Sequence, residues 1–147
     1  MEQKNSVLLS FLWRGSNLLD RLITETAEKW QLSSSEVLLL LYLDQMPHLN
    51  TARDAAHYCG MSKASISGNV LKLATRGLLT VDVDLRDRRF QHLDLTEQAK
   101  PVLRDIRALI QSFDTTMVSA LSDAEKEQFL AMLEKIIASD MDNSAII

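Results

Sequence analysis

The chain has 147 residues, a net charge of −4 and a single cysteine, Cys59. That length suits one domain or compact subunit with a real core, and one cysteine excludes both an internal disulfide and a cysteine cage for a metal, which points to a reducing, cytoplasmic setting. No run of about 18 uninterrupted apolar residues occurs, so no membrane span is expected, and the short patch "VLLSFLW" is cut off by Arg14 without a cleavage site and does not read as a signal peptide.

The residues from 6 to 30 open the chain with an apolar stripe at three-and-four spacing, from Val7 and Leu8 through Leu12, Leu19 and Ile23 to Trp30. The pattern predicts a long helix whose stripe is wide for a small domain, with Gly15 inside it. "LSSSEVLLLLYLDQM" then restarts a helix. Ser33 or Ser34 can cap it, Glu36 is the capping-box partner of Ser33, and Pro47 ends it. With only 4 glycines and 2 prolines in the chain, each breaker is informative.

"NTARDAAHYCGMSKASISGNVLKLATRGLL" is the informative block. Asn50 or Thr51 can cap a short helix over about 52–59, with Gly60 where a C-terminal glycine belongs. Ser62 can cap a second helix over about 63–76, closed by Gly77. Two helices flanking a short glycine-containing turn are a helix-turn-helix. Ile66, Val70 and Leu73 share one face of the second helix and should pack on Ala55, Ala56 and Cys59. The opposite face is expected to present Ser62, Lys63, Ser65, Ser67, Asn69, Lys72 and Arg76. No carboxylate occurs from residue 61 through 81. Cations, hydroxyls and an amide without carboxylates suit a helix in a DNA major groove, because phosphates repel carboxylates and short polar side chains reach base edges.

"LLTVDVD" and "FQHLDL" follow as two strand-like runs joined by Asp84–Arg89. Arg86 and Arg88 are the candidate tip residues of this hairpin, with Arg89 beside them, suited to the negative potential of a minor groove. Asp84 and Asp87 would pair with Arg89 and hold the tip in shape. Thr96 is expected to cap the next helix, with Pro101 in its second turn kinking or delaying it. The stripe Val102, Ile106, Leu109, Ile110, Phe113, Met117 and Leu121 continues at helical spacing. Ser122 and Glu125 form a further capping box before a last helix carrying Phe129, Leu130, Leu133, Ile136 and Ile137. Charge is uneven along the chain: residues 61–92 carry six basic and three acidic side chains, whereas residues 101–147 carry four and eight. An anion feels the nearby basic face, since salt screens the rest beyond about 10 Å.

The run "DLRDRRFQHLDLT" resembles the wing motif of the multiple-antibiotic-resistance regulator (MarR) family, commonly Asp-x-Arg-Asp-Arg-Arg followed by a strand and Leu-Thr. The likeness continues upstream through "GMSKASISGNVLKLATRGLL" and "LSSSEVLLL". It implies a mainly α fold with a small β-hairpin wing: a winged helix-turn-helix over about 33–97, flanked by dimerisation helices over about 1–32 and 98–147, in one subunit. It implies a homodimeric, cytoplasmic transcription regulator of double-stranded DNA, most often a ligand-responsive repressor on a pseudo-palindromic operator. The family often takes small amphipathic aromatic effectors; no effector residue is singled out here, since Trp13, Trp30, Phe113 and Met117 also read as core. Ala99 and Pro101 depart from the commonest pattern after Leu-Thr, and Cys59 stands where a buried leucine is usual, which reads as a core cysteine. His48, His57 and His92 lack a paired spacing for zinc, no other metal or cofactor is implied, and no catalytic grouping occurs, so an enzyme is not expected. The reading of a different class is a winged-helix interaction module that offers its basic face to an acidic protein.

Overall fold

The computed structural model describes residues 5–140. Six helices and one hairpin follow in order: α1 (Val7–Trp30), α2 (Ser34–Gln45), α3 (Ala52–Cys59), α4 (Lys63–Thr75), β1 (Leu79–Val83), β2 (Gln91–Leu95), α5 (Lys100–Met117) and α6 (Asp123–Asp140). They fall into two compact units divided between Phe113 and Asp114.

Local chemistry sets the helix ends. Ser6 caps α1, and Ser33 and Glu36 form the reciprocal capping box of α2. Thr51 caps α3 by accepting from Asp54 N–H, and Gly60 leaves that helix in the left-handed region at φ 62°. Ser62 caps α4 and accepts from Ser65 N–H. Gly77, at φ 74°, turns the chain out of α4 into β1, and a Cβ there would collide with the Gln98 side chain.

The core of the first unit forms where the apolar faces meet. Val37, Leu39, Leu40 and Leu43 of α2 are buried with Ala55 of α3 and with Ile66, Val70 and Leu73 of α4. Leu79 and Leu93 join from the hairpin, and Val102, Leu103, Ile106 and Leu109 from α5. Ala56 and Cys59 pack against this cluster. Burial pushes the Cys59 thiol pKa up, as suits a core cysteine. At the other side of the unit, Arg107 of α5 grips the shielded Asp44 carboxylate of α2 with two hydrogen bonds of 2.7 and 3.0 Å.

The hairpin pairs Leu79 with Leu95 and Val83 with Gln91. Its loop is one residue longer than the expected Asp84–Arg89, since the second strand starts at Gln91, and Asp84 N–H closes it by donating to Phe90 O. Residues 50 and 51 lie along β2: Leu93 N–H donates to Asn50 O at 2.8 Å, and Thr51 bridges His92. Thr96 does not cap the next helix. Its hydroxyl donates instead to Gly77 O at 2.6 Å, closing the foot of the hairpin. A 3-10 turn, Glu97–Ala99, intervenes before α5. Pro101 is the second residue of α5, where its missing N–H costs nothing, so it delays the helix rather than kinking it. In the second unit, Glu125 N–H donates to Ser122 Oγ, half of the expected capping box.

Candidate nucleic-acid interface

The helix-turn-helix and the hairpin frame one open groove of about 490 Å³, lined by the start of α3, one flank of α4 and the loop side of the wing. Arg53, Lys63, Arg88 and Arg89 converge on it, with Ser67, Ile66 and Phe90 between them. Four cations on one concave surface concentrate positive potential there. Arg53 and Gln91 were not anticipated. The signal for Arg53 was an arginine in the first turn of the short helix, a position that is aimed at the groove only once the wing is folded beside it.

On α4 and at its cap the exposed side chains include Ser62, Lys63, Ser65, Ser67 and Lys72. Asn69 is not among them. It is 6% exposed and belongs to the buried arc beside Ile66, Val70 and Leu73. Its Oδ1 accepts from Ser35 Oγ at 3.2 Å, and its Nδ2 faces Met61 Sδ at 3.5 Å. The expectation that Asn69 lies on the outer face is therefore corrected. Ser35 of α2 reaches over that flank of the helix, so the amide bridges two elements of the lobe. Arg76 is exposed, yet both terminal nitrogens of its guanidinium are used inside the chain, Nη1 to Gln31 O at 2.9 Å and Nη2 to Trp30 O at 3.0 Å.

The wing tip is shaped by its own carboxylates. Asp84 Oδ1 accepts from the N–H groups of Arg86 and Asp87, at 2.8 and 3.1 Å. Its Oδ2 accepts from His92 Nε2 at 3.0 Å. The sequence pointed to Arg89 as the partner of both aspartates; only Asp87 pairs with it, through Arg89 Nε at 2.9 Å and Nη2 at 2.7 Å. Asp84 pairs with His92 because the two face each other across the base of the loop. His92 Nδ1 lies 3.1 Å from Asn50 Oδ1, and Asn50 Nδ2 donates to Asp94. His92 thus ties the wing to the entry of α3, a role its scattered place in the sequence did not reveal. These bonds hold both carboxyls below the usual range, Asp84 chiefly through His92 and then the two main-chain N–H groups, and Asp87 chiefly through Arg89. With the carboxylates so occupied, Arg86 and Arg88 make no ion pair among the described residues.

No group of three or more His, Cys, Asp or Glu arranged to hold a metal occurs among the described residues. No helix among them is long and apolar enough to cross a membrane.

Comparison with known proteins places this geometry. The sequence model of the MarR family matches residues 30–89, which contain the helix-turn-helix and the wing tip. Solved structures extend the likeness. A point mutant of MepR from a multidrug-resistant S. aureus clinical isolate is 24% identical, with a TM-score of 0.70, covering 95% of this chain and 99% of that one. MepR of S. aureus in complex with DNA is also 24% identical, with a TM-score of 0.65 over 89% and 96% of the two chains. BpsR of Bordetella bronchiseptica, whose DNA binding is regulated by 6-hydroxynicotinic acid, is 19% identical, with a TM-score of 0.65 over 89% and 98%. The chain is thus similar to the MarR family in sequence across residues 30–89, and it shares the winged-helix fold of these structures across nearly its whole length.

Proposed function

We propose that the protein is a homodimeric, cytoplasmic, sequence-specific regulator of transcription, a repressor released from a pseudo-palindromic operator by a small amphipathic aromatic effector. The observation that carries the DNA-binding part is the groove itself: Arg53, Lys63 and Arg88 line it, while a carboxylate-free helix face and a wing whose carboxylates are spent internally leave Lys72 and Arg86 exposed as well. On this reading α4 enters the major groove, with Lys63, Ser65, Ser67 and Lys72 reading or positioning there, and Ser62 serves as its cap. Arg53 and Arg89 sit at the phosphate wall, while Arg86 and Arg88 reach the adjoining minor groove. The DNA complex of MepR and the ligand-regulated BpsR support the two halves of this reading.

The dimer rests on apolar faces. Val7, Leu8, Leu12 and Trp13 of α1 are exposed, and so are Leu130, Met132, Ile136 and Ile137 of α6. Each helix thus offers an apolar strip of the kind a subunit partner covers. The lobe over about 33–97 is then the reader, and the helices flanking it form the dimerisation region. Two reading helices related by a two-fold axis require half-sites about 34–36 Å apart.

Selection of genomic duplex fragments by the purified protein at about 150 mM salt tests the whole reading, because specific binding must survive screening that removes weak contacts. A recovered pseudo-palindrome with half-sites one helical turn apart is the expected result. No enrichment from a folded dimer would reject it, and binding of an acidic protein by the same basic face would then be measured.

A further inference from the structure

The last turn of α1 leaves main-chain carbonyls without helical partners. Gln31 takes the left-handed conformation at φ 53°, and its own N–H returns to the carbonyls of Ala27 and Glu28. The negative end of the helix dipole lies there, and a guanidinium suits it. Arg76 supplies one, with Nη1 on Gln31 O and Nη2 on Trp30 O. These partners are 45 and 46 residues away in the chain. The connection does not stop at α1. The indole N–H of the same Trp30 donates to Asp105 Oδ2 of α5 at 2.8 Å, and Lys29 Nζ lies 2.7 Å from that oxygen. These bonds, Lys29 first and Trp30 second, hold the Asp105 carboxyl pKa down. On its own side Arg76 is the last residue of the α4 cap, and the next residue, Gly77, offers the carbonyl on which Thr96 closes the foot of the wing.

We propose that Arg76 is a positioning residue for DNA binding: by clasping the terminal carbonyls of α1 it sets the angle at which α4 is presented, and through Trp30 and Asp105 it makes that angle depend on α5. The proposal rests on the DNA-binding reading above. It gives Arg76 a different role from the phosphate contact that its charge and its place on the helix invite. The two roles differ in their ionic signature. A lost phosphate contact reduces the salt slope of binding by about one, since one fewer counterion is released. A lost clasp weakens binding and leaves the slope alone. They differ in rescue too. Lysine replaces arginine at a phosphate as a point charge, but it cannot span two carbonyls in a fixed fork.

The test titrates a duplex recovered by the wild-type protein, over a salt series, with wild type, Arg76→Gln, Arg76→Lys, Trp30→Phe and the double variant Arg76→Gln with Trp30→Phe. Thermal unfolding of each checks that the lobe remains folded. Arg76→Gln should weaken binding about fivefold or more, the usual scale of coupling between linked sites, with the slope unchanged. Arg76→Lys should recover only part of the loss. Trp30→Phe should weaken binding although it lies outside the groove, and the double variant should lose less than the two single losses combined. A slope lowered by about one, full recovery by lysine, or unchanged affinity in Arg76→Gln overturns the proposal alone. Failure of the wild type to select any duplex overturns the DNA-binding reading, and the proposal with it.

Discussion

Helix α4 and the wing present cations to the same groove, but different forces hold them there. Helix α4 is seated by Ile66, Val70 and Leu73, buried against α2, α3 and the hairpin. The wing tip buries almost nothing: Leu85 is 100% exposed, and the loop keeps its shape through Asp84, Asp87, Arg89 and His92. Burial is non-directional and indifferent to pH, whereas a hydrogen-bonded turn depends on geometry and ionisation. So the helix should fail only when the lobe unfolds, and the wing should fail by itself.

That contrast is most easily broken at Leu73, which is fully buried. Leu73→Ala should cost about 2–5 kcal/mol of stability through lost transfer energy and a cavity, seen as a lower denaturation midpoint of the whole lobe. A loss below about 1 kcal/mol would mean that α4 is not held by burial. Next come the tip arginines. Arg86→Ala and Arg88→Ala should each weaken operator binding about tenfold while leaving thermal stability unchanged. Unchanged affinity in both, at matched salt, removes the wing from the interface. Asn69 sharpens the comparison from inside the helix. Asn69→Ala should cost about 1–2 kcal/mol, because Ser35 loses its acceptor, and should leave base preference in a selection experiment as it was. A changed preference would return Asn69 to the reading face.

The smallest effect is acid loosening of the wing. Asp84 and Asp87 have lowered pKa values in the fold. Their contribution is therefore complete above the ordinary carboxylate value of about 4 and is lost as pH falls through the lower folded value. Amide signals of Arg86 and Asp87 should shift in that acid range while those of Val70 and Leu73 hold. Simultaneous loss of both sets would show that wing and helix form one cooperative unit.

How much was legible follows from sequence distance. The capping box of Ser33 and Glu36, the caps at Thr51 and Ser62, and the left-handed Gly60 all act within four residues, and each was readable before folding. So was the pairing of Asp87 with Arg89. Asn69 was misplaced because helical periodicity puts it at the edge of the buried arc, and Ser35, 34 residues away, decides which side of that edge it takes. His92, read only as lacking a zinc spacing, could not be matched to its partner for the same reason, since Asn50 lies 42 residues away. Thr96 had the side chain of a cap, but the carbonyl of Gly77 competed for its hydroxyl and won.

The sequence by itself determined the order and type of the elements, the basic stretch between acidic ends, and the wing motif, because helix caps, apolar periodicity and charge runs are written over three to seven neighbouring residues. Only the tertiary structure decided which polar side chains are left facing outward. Arginine, asparagine and histidine can serve a nucleic acid or the protein's own main chain equally well, and the choice depends on which distant carbonyl or carboxylate the fold brings within 3 Å. Arg76 on the end of α1 and Asn69 under Ser35 are taken inward by such partners, while Arg86 and Arg88 remain outward because the nearby carboxylates are already occupied.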